Sequence, residues 1–211
     1  MNICYIFGAV NYQSEINKPD KSDYLIAADA GYSLMKNYNI VPDVIIGDFD
    51  SLNDIPEEKD LIRHPVRKDD TDLMLAVKHG FSKEYNKFII YGCLGGRIDQ
   101  TFATIQTANY ITDNGGKVIC VSDNECITVV KNSEIMFKEK RNGIISVFSL
   151  TDTSEGVCLN NLSYPLLNAT ITSSFPLGVS NEFTGEKSSV KVKNGTLLVI
   201  WNGTPDDLIG F

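Results

Sequence analysis

Two hydrophobic periods divide this chain. Up to about residue 131, short continuous apolar runs alternate with stretches of helical spacing. "NICYIFGAV", "DYLIAAD", "DVIIGD" and the shorter "DLIRHP" predict strands, while "AGYSLMKNYN", closed by "IVPD", predicts a short helix. "DLMLAVKHGFSKEY" predicts a helix with Leu73, Met74, Val77 and Phe81 along one face. "KFIIYGCLGG" is a strand running into a glycine loop. "RIDQTFATIQTANYITDN" is a helix with Ile98, Phe102, Ile105 and Thr112 roughly in line, and "GGKVICVSD" opens the next strand. Strands alternating with helices predict an α/β domain, a mostly parallel sheet with helices on both faces. Near residue 132 the helical spacing stops. "EIMFKEK", "GIISVFSL", "GVCLNNLSY", "NATITSSF", "SSVKVKN" and "TLLVIWN" are short strand patterns, separated by turns such as "RNG", "SEG" and "KNG". They predict a smaller all-β sandwich or barrel. The expected domains are therefore residues 1–132 and 133–211, joined without a flexible linker.

The chain has 211 residues and is 43% hydrophobic, ample for a buried core. Its formal charge of −8 argues against a general nucleic-acid binder, which wants a basic face. The start, "MNICYIFGAVNYQSE", lacks a basic n-region, and no apolar run approaches membrane length, so neither a signal peptide nor a membrane partner is expected. Five cysteines, odd in number and without a C-x-x-C pair, read as buried reduced thiols in a cytoplasmic protein. Two histidines are too few for a histidine metal site.

Acids recur where strands end and helices begin. In "VIIGDFDSL", Asp48 and Asp50 stand two residues apart, so in an extended segment they face one side, roughly 7 Å from each other. Hard oxygen ligands at a strand's C-terminal end suit Mg²⁺; an Asp-rich turn is the plainer alternative. "RKDDTD" opens a helix with Asp69, Asp70, Thr71 and Asp72, all natural caps, yet one cap is enough and three carboxylates crowd there. In "YGCLGGRIDQ", Gly95 and Gly96 let backbone N–H groups approach phosphates and Arg97 can fork onto phosphate oxygens, with Asp99 in the same turn. The loop is neither a Walker A motif nor G-x-G-x-x-G, and a structural turn explains it equally well. "AADAG" adds Asp29 at another strand-to-helix junction, where a simple helix cap is the alternative. In a parallel sheet these positions gather on one edge. Asp29, Asp48, Asp50, Asp72 and Asp99 would then converge beside Arg97 and Lys68, an arrangement that Mg²⁺ turns into a polyphosphate site.

"AADAG", "PDVIIGDFDSL", "KDDTDLMLAV", "GCLGGRIDQTFATI" and "GVSNEFTG" stand in the order and spacing of thiamine pyrophosphokinases, which the chain resembles from about residue 3 to 200. The resemblance implies a homodimer with active sites at the subunit interface, each chain having an α/β nucleotide domain and a C-terminal β-sandwich that binds thiamine. It implies the reaction ATP plus thiamine giving thiamine diphosphate and AMP. By motif, Asp48, Asp50, Asp72 and Asp99 resemble the Mg²⁺ and ATP-phosphate acids. Asp29, Thr71, Arg97 and Gln100 resemble the surrounding nucleotide and substrate shell. Ser180 and Asn181 resemble thiamine contacts, serving the ATP of the partner chain. Two positions depart from the commoner family pattern: Gln100 stands where many bacterial members have histidine, and "AG" follows Asp29 where others have "GG". Neither removes an acid. Trp201, near the end of the last strand pattern, is either core or a surface on which thiamine stacks.

Strand-D-x-D is also the signature of aspartate-nucleophile phosphatases. Those expect a small hydroxyl residue two positions after the second Asp, where this chain has Leu52. A nucleotide sensor without catalysis is the remaining alternative.

Overall fold

The structure is a computed structural model that describes residues 2–47, 60–63 and 70–211. The chain forms two compact units, 1–123 and 124–211. Their strands pair differently, in parallel in the first and antiparallel in the second.

In the first unit, β1 (Cys4–Phe7), β2 (Tyr24–Ala28), β3 (Val44–Gly47), β4 (Asp60–Arg63), β5 (Lys87–Tyr91) and β6 (Lys117–Val121) are joined with α1 (Gly31–Asn37), α2 (Asp72–Ser82) and α3 (Ile98–Asp113). The strands lie in the order β6-β5-β1-β2-β3-β4, and each neighbouring pair is parallel. The continuous apolar runs become β1, β3 and β5, in which every residue is buried. From β1 the chain builds outward through β2, β3 and β4, then returns to place β5 on the other side of β1. That reversal makes the carboxyl end of β1 a topological switch point, the place where open α/β sheets receive ligands.

Helix α1 packs on β1 and β2, α2 on β1, β2 and β3, and α3 on β6 and α2. The face that α2 buries is Ala76, Val77 and Gly80. Leu73, Met74 and Phe81 flank this stripe and are half-buried. Gly80 belongs to it because a Cβ there would come within 2.6 Å of the Phe88 ring. In α3 the difference from the predicted face is larger. Ile98 and Phe102 are 86% and 62% exposed, while Thr104, Thr107, Ala108 and Ile111 are buried. Threonine passes for polar in a periodicity count. Here its hydroxyl is satisfied locally: Thr104 Oγ1 donates to the Cys93 carbonyl at 2.8 Å and Thr107 Oγ1 to the Ala103 carbonyl at 2.9 Å. The methyl group is then free to pack.

The second unit begins with β7 (Glu125–Lys131), which pairs with the last strand, β14 (Thr196–Asn202). The unit therefore starts before the change of sequence pattern near residue 132. β9 (Ile144–Ser149) and β12 (Gly178–Glu182) extend this antiparallel sheet in the order β12-β9-β14-β7. β8 (Glu134–Phe137), β10 (Thr153–Asn160), β11 (Leu166–Thr172) and β13 (Ser188–Lys191) form a four-stranded antiparallel sheet, β11-β10-β13-β8. Alternating burial in β9 and β10 marks one face of each as inner. Trp201 lies in this core, 1% exposed, edge-on to Phe137 with ring centroids 5.4 Å apart. Its indole N–H donates to Asp207 Oδ2 at 3.3 Å, and Lys140 Nζ donates to the same oxygen at 2.9 Å. Trp201 is thus a core residue whose polar edge is satisfied, and it offers no free face for stacking.

Candidate active site

A cavity of about 490 Å³ opens in the first unit at the carboxyl ends of β1, β2 and β5. Its walls are the loop after β1 (Gly8, Ala9, Val10), the end of β2 (Ala28, Asp29), the start of α2 (Asp70, Thr71, Asp72, Leu73), the turn after β5 (Gly92, Cys93) and one side of α3 (Arg97, Gln100, Thr104). The two glycine loops touch. The Gly8 N–H donates to the Tyr91 carbonyl at 2.8 Å and the Val10 N–H to the Gly92 carbonyl at 2.9 Å. A Cβ on Gly8 would fall 2.5 Å from the Gly92 oxygen, so glycine is what lets the loops close the floor.

Asp29 stands just after β2 with φ 49°, a left-handed conformation that aspartate tolerates better than most residues. Its N–H donates to the Ile46 carbonyl at 2.8 Å, and its carbonyl accepts from Tyr32 at 3.2 Å. Gly47 lies against it: a Cβ on Gly47 would be 3.0 Å from the Asp29 Cα. The end of β3, which leads into Asp48, is therefore close beside Asp29.

The crowded acids before α2 take separate tasks. Thr71 is the N-cap, its Oγ1 accepting from the Met74 N–H at 3.1 Å. Asp70 pairs with Lys78 at 2.7 Å. Asp72 occupies the first turn, where the helix dipole favours a negative charge. At α3, Arg97 is the N-cap residue and turns back on Asp99 with a two-pronged contact, Nε to Oδ1 at 3.0 Å and Nη2 to Oδ2. The Arg97 hydrogen bonds hold the Asp99 carboxyl below its ordinary value, and the same bonds raise Arg97. Gly95 and Gly96 precede them with φ 86° and 67°, and a Cβ on either would meet nothing within 4 Å. Glycine there serves backbone conformation, leaving the N–H groups in the open.

Of the residues singled out by sequence, Asp29, Thr71, Asp72, Arg97 and Gln100 thus share one cavity. Gly95, Gly96 and Asp99 are exposed on the loop and first turn beside it. Asp48, Asp50 and Lys68 lie outside the described residues. Ser180 and Asn181 belong to β12 in the second unit. Among the described residues no three His, Cys, Asp or Glu side chains close on one point as a metal site. The sequence patterns passed over the Gly8–Val10 loop, although a glycine directly after the first strand was a usable signal. They also passed over Cys93. Burial pushes that thiol well up, and its Sγ donates to the Ile90 carbonyl at 3.4 Å, so it is an inert part of the wall.

Residues 17–120 match the family model described as thiamin pyrophosphokinase, catalytic domain. Residues 132–197 match the one described as thiamin pyrophosphokinase, vitamin B1 binding domain. The chain is 26% identical over 190 residues to the thiamine pyrophosphokinase of Bacillus subtilis, covering 86% of this chain and 88% of that protein. It is 26% identical over 207 residues to thiamin pyrophosphokinase 1 of Caenorhabditis elegans, covering 90% and 83%. Among solved structures, the Bacillus subtilis thiamine pyrophosphokinase aligns with a TM-score of 0.83 at 22% identity, over 96% of this chain and 99% of that one. Yeast thiamin pyrophosphokinase aligns with a TM-score of 0.73 at 15% identity, over 98% and 87%. At these identities the structural likeness speaks for the fold.

Proposed function

The chain belongs to the thiamine pyrophosphokinase family, whose reaction moves a pyrophosphoryl group from ATP to the hydroxyl of thiamine, and we propose that the α/β cavity is where it does so. The products are thiamine diphosphate and AMP. The observation that carries the placement is the meeting of Asp29, Thr71, Asp72, Arg97 and Gln100 around one cavity at the switch point of the sheet.

In this reading the exposed N–H groups of Gly95 and Gly96 and the Arg97 guanidinium bind the ATP phosphates, joined by Lys68. Asp29 and Thr71 complete the nucleotide pocket, and Gln100 orients the acceptor hydroxyl. The thiamine hydroxyl attacks the β-phosphorus in line, the bond from that phosphorus to the oxygen bridging to the α-phosphate breaks so that AMP leaves, and a cavity carboxylate accepts the hydroxyl proton. The donor chemistry suits Mg²⁺, a hard cation that takes one or two carboxylates and fills its shell with water and phosphate oxygens: Asp29, Asp70 and Asp72 all line the wall. Asp48, Asp50, Asp72 and Asp99 would hold it. When bound, the metal neutralises charge that builds on the phosphates.

The same reading gives residues 1–132 to ATP and the metal, and residues 133–211 to thiamine binding and dimerisation, with Ser180 and Asn181 contributing to the thiamine site of a homodimer. In the second unit the exposed side chains of Leu167, Phe175 and Leu177 support apolar contact with a partner chain. We read the first unit as a parallel sheet with helices on both faces. A cytoplasmic location fits five cysteines of which none is in a disulfide. Among the described residues no helix is long and apolar enough to cross a membrane.

Mass analysis of the products from ATP and thiamine tests the reaction. Thiamine diphosphate with AMP is the expected pair; thiamine monophosphate with ADP would overturn it.

A further inference from the structure

β1 and β2 are parallel neighbours, so the chain must cross over between them. The β2–β3, β4–β5 and β5–β6 connections each carry a helix; residues 8–23, between β1 and β2, carry none. Irregular loops beyond roughly 12–15 residues are uncommon in compact domains and usually belong to a site. This one starts as a wall of the cavity, at Gly8, Ala9 and Val10.

The segment that follows is held by side chains from elsewhere in the first unit. Asp123, just past β6, accepts through Oδ1 from the Gln13 N–H at 2.7 Å and the Ser14 N–H at 2.8 Å. The Ser14 hydroxyl donates to the Asp123 carbonyl at 3.2 Å. From the end of α1, the Tyr38 hydroxyl donates to the Ser14 carbonyl at 2.8 Å and reaches the Tyr12 carbonyl at 3.2 Å. Tyr91 takes both ends of the loop: its carbonyl accepts from the Gly8 N–H at 2.8 Å and its hydroxyl from the Asn17 N–H at 3.2 Å. Tyr12 is buried, edge-on to Tyr91 with ring centroids 5.2 Å apart. Asp123 is the charged tie in this set, and a carboxylate bonds backbone N–H groups more strongly than a neutral acceptor does. The Gln13 bond first, and the Ser14 bonds with it, hold the Asp123 carboxyl below its ordinary value.

We infer that Asp123 and Tyr38 are positioning residues for the nucleotide: they hold the loop after β1 where it forms the cavity wall. This rests on the reading that the cavity receives ATP. Asp123 stands outside the wall and acts through the loop alone. Val10 is three residues from Gln13, so the two are at most about 11 Å apart, and a wall residue that close to a tied one cannot drift far. A loop ordered beforehand loses little freedom when ATP binds. Whatever the ties add to ATP binding, ATP adds in turn to the order of the loop.

Steady-state kinetics and amide hydrogen exchange on the whole chain test this together. In Asp123→Ala the KM for ATP should rise about tenfold, with kcat within about threefold and the KM for thiamine unchanged. Asp123→Asn keeps an acceptor oxygen and should recover most of the loss. Tyr38→Phe should raise the KM for ATP by less, about twofold to threefold. In Asp123→Ala, exchange should quicken at Gln13 and Ser14 and spread to Gly8 and Val10, while α2 and α3 keep their protection. Saturating ATP should slow Gly8 and Val10 again. An unchanged KM for ATP in Asp123→Ala, an equal rise in both KM values, no recovery in Asp123→Asn, or faster exchange confined to Gln13 and Ser14 would overturn the inference. Should Asp123→Ala fail to fold, Tyr38→Phe, which removes only a hydroxyl, carries the test, and an unchanged KM for ATP there has the same consequence. Calorimetric titration with ATP keeps the inference apart from the reading beneath it. Binding weakened by Arg97→Ala but not by Asp123→Ala removes the positioning role and leaves the site standing. Binding indifferent to both removes the cavity as the ATP site, and the inference with it.

Discussion

Polar side chains serve opposite ends in the two units. In the α/β unit they sit where strands stop: Asp29, Thr71 and Arg97 each end a strand or start a helix, and each faces a cavity. In the β unit they go inside. Ser149 Oγ and Ser154 Oγ bond to each other at 2.8 Å, Ser154 reaches the Thr196 carbonyl at 3.3 Å, and Asn181 clamps Tyr164. The cause is topological. Parallel strands with helical crossovers leave their carboxyl ends at one open edge, where polar groups can face a ligand. Antiparallel strands broken by bulges leave backbone groups unpaired inside, and side-chain amides and hydroxyls must fill them.

The largest expected effect tests the first half of that contrast. Asp72→Ala should lower turnover about a thousandfold or more, as loss of a phosphate-charge stabiliser does, and Asp50→Ala should do the same. The melting temperature should fall only modestly for Asp72→Ala, which removes a first-turn charge but leaves the Thr71 cap of α2 in place. Near-normal turnover in either variant would remove that acid from the machinery.

The second half is tested by Trp201→Ala. It removes a fully buried ring and one of the donors to Asp207, so a loss of about 3–5 kcal/mol is expected in denaturant unfolding. The KM for thiamine, measured on the folded fraction, should be unchanged. A selective rise in that KM would return Trp201 to the binding site.

Thr71→Ala comes next, at about 1 kcal/mol, the usual cost of losing an N-cap, and Thr71→Ser should restore the stability. A cap that also touches nucleotide should show a rise in the KM for ATP beyond what the stability loss explains.

How much of this was legible beforehand follows the same division. The strand-end acids of the α/β unit could be read because strand period, helix caps and carboxylates leave separate marks in sequence. Asp29, Asp72 and Arg97 come together because a parallel sheet forces it. The exposed face of α3 could not be read, because threonine counts as polar until its hydroxyl is known to bond the backbone, as in Thr104. Strand β12 was hidden for a related reason. "GVSNE" has no clean alternation, since a bulge shifts the period by one residue midway. Asn181 could be picked out as special by motif, but only its hydrogen bonds show that its side chain points into the protein.

The smallest effect concerns the Arg97–Asp99 pair. Both groups are exposed, and the Arg97 hydrogen bonds lower the Asp99 carboxyl in the folded chain. A lowered folded-state value means the stabilisation is fully present above the ordinary carboxylate range and fades as pH falls through the lowered value. Melting curves of the parent chain and of Arg97→Ala should therefore coincide at the acid end and separate slightly towards neutrality, with salt closing the gap. A large difference that survives high salt would mean the pair is a structural device, like the clamps of the β unit. The weak, salt-sensitive outcome is the one a phosphate site needs. A guanidinium whose present partner contributes little to folding can exchange that partner for the phosphates of ATP at low cost, and the pair then keeps Arg97 close to the glycine loop until the nucleotide arrives.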